Sequence, residues 1–487
     1  MQTISIAFRG GLVSPGVLLN ILGLLDDLRV EEVRFGLRQQ LIADLPSGKI
    51  DSLTQKLSEE GVEFSVGQKI LNNTVSSYAI ADIFGPDSWL TEGVYKDLLD
   101  ELPKTSLLKI NITDRNQSFC PQYTGHINWI ASDHVHYWHL AYRFPGKNEV
   151  HHLPWLVYSN QVAEYTKHIE DWWISVRHST DQTFNNLEEI LKSPEKGKIL
   201  SGSLPTHSFQ LPYYEGFNHY GNRYWLGIYR RLEGFPVPFL IDLCKLCLKT
   251  RIGLLYTTPW KSILIKNIEP AHRHHWNYLL GHYRINVRHA SNELNWQVED
   301  QQPNALALKR FIIREFDKED VRTFGLCFAI QHSRQSAPFG SVRIIRDYTL
   351  LKGTWRPLPT YSIYYTHRYD PNSNQLILYR KEVKKEYLPA YLIGLCSDYY
   401  ASLREDNTQE ETVHTVIQKD SPAENERTLY QCNDCLTIYD ESEGDTSAGI
   451  PAGTLWEMLP VNYCCQVCDN VKENFSRISS EALVRMD

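Results

Sequence analysis

Two Cys-x-x-Cys pairs near the C-terminus constrain this chain more than any other feature. Cys432 and Cys435 form the first pair, and Cys465 and Cys468 form the second after a gap of 29 residues. Each pair presents two sulfurs from one tight turn, and two such turns facing each other make a tetrahedral S4 site suited to iron or zinc. A bound metal also stabilises a module too small to fold well alone. The sequence therefore predicts a small metal-stabilised domain over 428–478.

The distribution of cysteines supports a metal site rather than disulfides. Five of the ten cysteines lie between Cys432 and Cys468. A disulfide framework would spread pairs along the chain, whereas clustering in a reducing compartment indicates metal binding. The N-terminus lacks the basic region and cleavage site of a signal peptide, and no apolar run reaches the roughly 18 residues of a membrane span. We expect a cytoplasmic protein that has no membrane partner.

Charge and length set further limits. The formal net charge is -8, which argues against nucleic acid as a partner because that role needs a basic surface. At roughly 150 residues per domain, a chain of 487 residues is expected to form two to four domains. The polar, acidic stretch 403–427 predicts a flexible linker, and the polar stretch 192–208 divides the preceding part, here called the body, into halves at 1–191 and 209–402.

The two halves of the body look like copies of one unit. Each has the order strand, helix, strand, helix, which predicts an α+β arrangement with helices on one face of a sheet. The corresponding segments are 4–10, 14–28, 30–46 and 47–64 in the first half and 222–231, 236–250, 251–268 and 270–283 in the second.

The segment between the cysteine pairs favours iron. A typical zinc ribbon spaces its pairs by roughly 15–20 residues. The longer insert here carries glycine and aromatic positions, and its aromatic residues are expected to form a core against the sulfurs: Tyr430, Tyr439, Trp456, Tyr463 and Phe475. Together with Gly444-Asp445, Gly453-Thr454 and Leu459-Pro460, this pattern resembles the rubredoxin family across 428–478.

The resemblance to rubredoxins implies one iron ion that alternates between Fe(III) and Fe(II). Its ligands would be Cys432, Cys435, Cys465 and Cys468. A structural zinc ion is the alternative. Three residues depart from the family pattern, since Leu436 replaces a usual glycine, Thr437 a common aromatic and Gln466 a usual proline. Such changes alter hydrogen bonding to the sulfurs and hence the reduction potential.

Two other features of this region bear on its function. Cys464 lies beside a predicted ligand but out of register, so we interpret it as a spare thiol. Residues 428–478 contain eight acidic and two basic side chains, a net charge of −6. An acidic surface is often only a solvated face, but it also lets electron carriers dock transiently on basic partners.

Segments 33–64 and 215–270 resemble the ferredoxin-like half-domain of nitrite and sulfite reductases. In that family, cationic side chains on these strands bind the carboxylates of sirohaem and the anionic substrate, as guanidinium groups readily do. The resemblance implies such an anion or tetrapyrrole site in this body. The matching residues are Arg34, Arg38 and Gln39 in the first copy and Thr257, Thr258 and Lys261 in the second. The alternative is that they are ordinary strand or surface positions.

Cysteine content separates this body from active members of that reductase family. Those members bind a [4Fe–4S] cluster, bridged to sirohaem, with four cysteines of the second half. Between residues 285 and 402 this chain has only Cys327 and Cys396, and two thiolates cannot supply four ligands. We therefore expect neither the cluster nor sirohaem in this body, which looks like a degenerate relative.

Other candidate residues have two interpretations each. Cys244 and Cys247 form a Cys-x-x-Cys on an apolar helix, where buried core thiols are the simpler interpretation and a redox pair the alternative. Six histidines are either packed among aromatic residues or ligands of a metal or haem: His134, His136, His139, His272, His274 and His275.

The sequence thus predicts an α+β protein with a two-fold repeated, ferredoxin-like body resembling sirohaem reductases and a small rubredoxin β-domain. The first functional hypothesis is one-electron transfer between an unidentified donor and a reductase acceptor in nitrite- or sulfite-type metabolism, with the linker tethering the carrier. The second is an oxidoreductase whose body binds sirohaem, another tetrapyrrole or an oxyanion and receives electrons from the rubredoxin iron. The third is a scaffold protein with structural zinc.

Overall fold

The chain divides into two units, Met1–Tyr400, which corresponds to the body, and Ala401–Asp487. The structure is a computed structural model. It describes residues 2–67, 74–84, 89–116, 119–120, 124–145, 149–177, 187, 191, 198–199, 209–333, 338–347, 359–373, 375–415, 429–433, 437–445, 448, 450–451, 453–465 and 470–478.

The first helix shows how the local sequence directs the fold. Ser14 caps its N-terminus, where the Ser14 hydroxyl accepts the Val17 N–H at 3.2 Å, and Pro15 occupies the first helical position. Apolar residues recur at helical spacing and are all buried: Leu18, Ile21, Leu22 and Leu25. The helix Pro15–Asp27 therefore packs these apolar side chains into a hydrophobic core of the body.

Two five-stranded antiparallel sheets form the first layer of the body. In spatial order the strands of one sheet are Phe235–Pro236, Glu32–Phe35, Leu41–Leu45, Gln2–Ile6 and Phe64–Val66. Those of the other are Gly216–Tyr220, Arg223–Ile228, Ile263–Ile268, Leu255–Thr257 and Leu12–Val13.

The two sheets exchange one short strand each. Leu12–Val13 of the first half pairs with Leu255–Tyr256 of the second, and Phe235–Pro236 of the second half pairs with Glu32–Val33 of the first. One hydrophobic core runs through both sheets and their helices. Each half therefore completes the sheet of the other.

A second layer repeats in the same way. Each half continues with three parallel strands followed by antiparallel ones. In the first half these are Thr74–Ser76, Ile110–Thr113, Ile127–Ala131, Tyr137–Tyr142, His151–His152, Trp155–Tyr158 and Lys198–Ile199. In the second they are Trp296–Val298, Phe328–Gln331, Val342–Arg346, Thr360–Thr366 and Leu376–Lys384. The predicted two-fold α+β repeat is confirmed, and it extends beyond the segments that suggested it.

The α-helices cover these sheets. After Pro15–Asp27, the described ones are Ser47–Glu59, Glu92–Glu101, Val162–Val176, Val237–Lys249, Arg273–His282, Ser291–Leu294, Pro303–Lys318 and Leu388–Thr415. None of these described helices is both long and apolar enough to cross a membrane.

The structure differs from the sequence prediction at three places. Segments 30–46 and 251–268 are hairpins of two strands each, so Arg38, Gln39 and Lys261 lie in turns rather than on strands. The predicted linker 403–427 is helical up to Thr415, and residues 416–427 lie outside the described residues. Within 192–208, Lys198–Ile199 forms a strand against Trp155–Leu156.

The described part of the second unit contains a three-stranded antiparallel sheet in the order Ile438–Asp440, Leu429–Cys432, Phe475–Ile478. Two short 3₁₀ helices, Trp456–Met458 and Lys472–Asn474, lie in the connections.

Candidate metal centre

The two predicted cysteine loops are built alike. The Cys432 N–H donates to the Thr437 carbonyl at 2.8 Å, and the Cys465 N–H donates to the Asn470 carbonyl at 2.8 Å. In each loop the first cysteine is therefore bonded to the residue five positions later. Cys435 and Cys468 lie inside these loops and outside the described residues.

The two described cysteines of the predicted ligand set are buried. Cys432 is 0 % and Cys465 is 1 % exposed. A buried thiolate is costly unless a cation compensates it, and the thiolate is the form that binds metal. The chemistry of two buried sulfurs in matching loops fits a metal-binding role. Among the described residues, no group of three or more His, Cys, Asp or Glu side chains could hold a metal, so the four-cysteine set stays a prediction.

The five predicted aromatic residues do pack together, and their position against the sulfurs stays a prediction. The Trp456 ring stacks on Tyr430 with ring centroids 4.3 Å apart and an interplanar angle of 11°. Phe475 lies 5.0 Å and Tyr463 5.9 Å from Trp456 by the same measure. Tyr439 completes the cluster at 5.5 Å from Trp456. Two members of this cluster, Tyr430 and Tyr463, each lie two residues before a described cysteine in sequence.

Hydrogen bonds fix the insert around this layer. The Tyr463 hydroxyl donates to Asp445 Oδ2 at 2.9 Å, and Trp456 N–H donates to Glu441 Oε1 at 2.7 Å. Burial, followed by the hydrogen bond to Asp445, raises the pKa of Tyr463. Gly444 has φ +70°, and a Cβ there would lie 2.5 Å from the Pro451 carbonyl oxygen, so the turn requires glycine.

The spare thiol Cys464 and the three departures from the family pattern have different outcomes. Cys464 is half-buried and forms an isolated backbone bridge with Val471. Thr437 supplies the carbonyl that closes the first loop. Leu436 and Gln466 lie outside the described residues.

In the body, the predicted anion-binding residues already have internal partners. Arg34 pairs with Asp44 across the hairpin. Arg38 donates to Asn111 Oδ1 at 2.7 Å and to the Ile110 carbonyl at 2.9 Å. The role of both arginines in an anion site stays a prediction.

Gln39 and Thr257 are brought into direct contact. The Gln39 amide donates to the carbonyls of Ser76 at 3.0 Å and Thr257 at 2.8 Å and accepts the Ser76 N–H at 2.9 Å. The Thr257 hydroxyl donates to the Gln39 carbonyl at 2.7 Å. Thr258 instead bonds the hydroxyl of Ser262 at 2.7 Å. Gln39 thus ties the two halves of the body together.

Lys261 lies in a buried ion network. Its Nζ is 2.8 Å from Glu233 Oε2 and 3.2 Å from Asp300 Oδ1. Burial lowers the pKa of Lys261, but Glu233 and Asp300 outweigh that effect and the pKa is raised overall. The same Asp300 carboxylate accepts the Leu37 N–H at 3.1 Å, which links Lys261 to the turn that holds Arg38.

A cluster of basic side chains near Arg38 was not predicted from the sequence. We call Arg38, Lys109, Arg143 and Arg343 the basic cluster. Backbone bonds align two of them beside His126, because the Lys109 N–H donates to His126 Nδ1 at 2.9 Å and the Arg143 N–H donates to the His126 carbonyl at 2.8 Å. Lys109, His126 and Arg143 adjoin the ends of three adjacent strands of the first half, which are Ile110–Thr113, Ile127–Ala131 and Tyr137–Tyr142.

The pKa values of the basic cluster reflect burial and mutual repulsion. Burial, then the charges of Arg38 and Arg143, lower the pKa of Lys109 to about 8, and Asp300 partly opposes this. Burial lowers the pKa of Arg38 to about 10, and burial with Arg143 lowers that of Arg343 to about 10. The pKa of His126 falls to about 3 through burial and the nearby cations. Such a concentration of positive charge suits an anionic ligand.

The remaining sequence candidates are placed as follows. Cys244 and Cys247 are buried in the apolar core, as the simpler interpretation predicts, and burial raises the pKa of Cys244 to about 12. Cys327 and Cys396 belong to different hydrophobic clusters. The His274 and His275 rings are adjacent at 3.9 Å, close to His272.

In the other histidine group, His136 packs edge-on against Trp89 with ring centroids 5.8 Å apart. Burial lowers the pKa of His139 to about 4. The neighbouring His152 and His134 add to this effect, and Asp133 opposes it. His134 precedes the strand Tyr137–Tyr142 that carries His139.

Comparison with known proteins agrees with this division of the chain. Residues 429–475 match the rubredoxin family model. The anaerobic nitric oxide reductase flavorubredoxin of Escherichia coli O9:H4 (strain HS) is 34% identical over 74 residues, 15% of this chain and 15% of that protein. Its homolog from Escherichia coli O157:H7 is 34% identical over 74 residues, 15% of this chain and 18% of the relative. The match thus spans less than a fifth of these curated relatives.

The body has a structural relative of its own. The NirA protein of Mycobacterium tuberculosis superposes with a TM-score of 0.57 at 12% sequence identity, covering 80% of this chain and 79% of that chain. This likeness concerns the fold alone. Residues 429–475 are a rubredoxin domain, and the body that precedes it has a fold like that of the NirA protein.

Proposed function

We propose that this chain is a one-electron carrier that serves a reductase partner in nitrite- or sulfite-type metabolism. Its C-terminal domain holds one iron ion through Cys432, Cys435, Cys465 and Cys468. The observation that carries the proposal is the rubredoxin domain, in which two matching loops bury Cys432 and Cys465. Iron held by four thiolates alternates between ferric and ferrous states and so supplies a one-electron step.

The protein's own residues would support this chemistry in two ways. The rings of Tyr430, Trp456, Tyr463 and Phe475 pack together in one cluster, which in this proposal would limit the access of water to the iron. Low polarity around a metal site tunes its reduction potential. The acidic surface would steer the domain to a basic partner. We place the carrier in the cytoplasm, where cysteine thiols remain reduced.

The test is the absorption spectrum of the purified full chain with iron and zinc quantified. We expect one iron per chain and a visible thiolate-to-iron band that dithionite bleaches and air restores. Cys465→Ser should lose the band and most of the iron. Cys244→Ser, which changes a buried thiol of the body core, should keep both. One zinc per chain without iron would overturn the proposal.

A second function is favoured by the basic cluster. We infer that the body binds a small oxyanion or the carboxylates of a tetrapyrrole. Burial lowers the pKa of all four cationic side chains, and neighbouring cations lower those of Arg38, Lys109 and Arg343 further. An anion would relieve this repulsion between like charges. Residues of both halves contribute, since Arg343 lies on the strand Val342–Arg346 of the second half. A bound tetrapyrrole, with electrons from the rubredoxin domain, would make the chain an oxidoreductase.

Two measurements test this second function. A Soret band in the purified chain would establish a tetrapyrrole. Calorimetric titration with nitrite should show binding that Arg143→Gln weakens about tenfold, the effect of one lost charged hydrogen bond of about 1.4 kcal/mol. Arg223→Gln is the matched control, because Arg223 is exposed, lies 3.9 Å from Glu269 and is not among the predicted anion-binding residues. Equal binding by both variants, or none by the unaltered chain without a Soret band, would refute the anion site.

A further inference from the structure

Three large apolar side chains of the rubredoxin domain are exposed within seven residues. Leu455 is 52 %, Met458 74 % and Val461 89 % exposed. Leu455 immediately precedes the 3₁₀ helix Trp456–Met458, and Met458 is its last residue. The Met458 N–H donates to the Leu455 carbonyl at 2.9 Å. Residues three apart in a 3₁₀ helix lie on the same side. We call Leu455, Met458 and Val461 the apolar ridge.

Aromatic rings connect the segment of the apolar ridge to residues that neighbour the described cysteines in sequence. Trp456, within the ridge segment, turns inward and stacks on Tyr430, which is two residues before Cys432. Its ring also lies 5.9 Å from Tyr463, which is two residues before Cys465. Trp456 therefore connects the segment of the ridge to two rings that are each two residues from a described cysteine.

Acidic residues border the apolar ridge. Glu457 lies between Leu455 and Met458 in the sequence and is exposed. Glu441 accepts the Trp456 N–H at 2.7 Å and belongs to the exposed turn that also holds Glu443. With the net charge of −6 over 428–478, the rim favours a positively charged partner. Exposed apolar side chains within a polar rim are the arrangement of protein-binding surfaces.

We propose that the apolar ridge is the docking surface for a redox protein whose contact face is apolar and ringed by lysine or arginine. This inference rests on the proposed one-electron function. In the docked complex, ferrous iron of this chain loses one electron and becomes ferric, and the oxidised centre of the partner gains that electron. The acidic residues attract the basic partner electrostatically, and the apolar ridge forms the contact in the docked complex.

The test uses the reduced full chain and two oxidants. Cytochrome c, a basic protein with an exposed haem edge, is the docking probe, and ferricyanide is the small-molecule control. Met458→Gln/Val461→Thr should lower the second-order rate with cytochrome c about tenfold and leave the rate with ferricyanide unchanged. Leu248→Gln, an equally mild change of an exposed leucine in the body, should change neither rate. Glu457→Gln should weaken the salt dependence of the cytochrome c reaction.

The possible results separate the two proposals. An intact iron band with unaltered cytochrome c rates in the ridge variant would overturn the docking surface and leave the carrier function standing. Equal slowing with both oxidants would also overturn it, because the defect would then lie in the iron site. Absence of the iron band in the unaltered chain would overturn both. A dimer in sedimentation that the ridge variant dissociates would assign the ridge to a second copy and reject the proposal.

Discussion

Gln39 and Lys261 occupy equivalent positions in two hairpin turns related by the internal repeat. Gly36 N–H bonds the Gln40 carbonyl at 2.9 Å, and Thr258 N–H bonds the Ser262 carbonyl at 3.0 Å. The fourth residue of each turn has a left-handed backbone, with φ 62° at Gln39 and 56° at Lys261. The repeat thus preserves the backbone conformation of the turn, whereas its fourth residue has an amide side chain in one copy and a charged side chain in the other.

Replacing Lys261 with methionine should strongly destabilise the body. Glu233 and Asp300 would lose their cation, and removing one partner of a buried ion pair costs about 3–5 kcal/mol. Urea denaturation of the full chain followed by tryptophan fluorescence measures the change. Lys261→Met/Glu233→Gln should recover part of the loss. A single variant within 1 kcal/mol of the unaltered chain would show that the network is dispensable.

Gln39→Leu should also lower the free energy of unfolding, by about 3 kcal/mol. The substitution leaves the Ser76 N–H and two carbonyls without their amide partner, and each buried unsatisfied group costs roughly 1–3 kcal/mol. The matched control is Gln55→Leu on the exposed side of the helix Ser47–Glu59. That change should alter the free energy by less than about 0.5 kcal/mol. Similar effects of both variants would contradict the linking role of Gln39.

Cys464→Ser should leave the iron content and the visible band unchanged. Cys465, not Cys464, begins the loop that mirrors the one at Cys432. Iron quantification of the variant beside Cys465→Ser tests the ligand set. Loss of iron from Cys464→Ser with retention in Cys465→Ser would reverse the assignment.

Trp456→Leu should make the metal easier to release. The substitution removes the stack on Tyr430 and the contact with Phe475, at a cost of about 2–3 kcal/mol to the domain. The guanidinium concentration at which the iron band disappears should fall. Met458→Leu, at an exposed neighbouring position, provides the comparison and should behave as the unaltered chain does.

Anion binding by the body should weaken above about pH 8. Lys109 has its pKa lowered to about 8, so its positive charge is present below that pH and is lost as the pH rises through it. Nitrite remains an anion throughout, so its affinity reports the charge of the protein. Titrations at pH 6.5, 7.5 and 8.5 should show the decline, and Lys109→Gln should remove the step. A flat profile in the unaltered chain would exclude Lys109 from the site.

Local patterns in the sequence were sufficient for some features. Ser14 and Pro15, followed by leucines at helical spacing, specify the first helix, and two cysteine pairs around an aromatic insert specify the C-terminal domain. Strand exchange was beyond such reasoning, because a two-residue strand such as Leu12–Val13 carries no signal for its partner. The hairpin turns at Gln39 and Lys261 were missed because neither residue is glycine, asparagine or aspartate, the usual signals of positive φ.

The basic cluster was missed for a related reason. Lys109, Arg143 and Arg343 are single charges at or near the ends of separate apolar strands, where each alone is unremarkable in the sequence. Only the sheet order and the docking of the two halves bring them together. Aligning the sequences of the two halves matches their strands with one another, but it does not show which strand ends face one another in the folded body.

A ribosome making this chain synthesises Val13 about 240 residues before Leu255, the residue with which Val13 pairs. At roughly 5–20 residues per second, about 12–50 s separate the two. For most of that interval the edge strand Glu32–Phe35 also lacks its partner strand, Phe235–Pro236, which has not yet been synthesised. The first half of the nascent chain therefore carries open sheet edges of the kind that chaperones shield, and translation speed becomes a determinant of its yield.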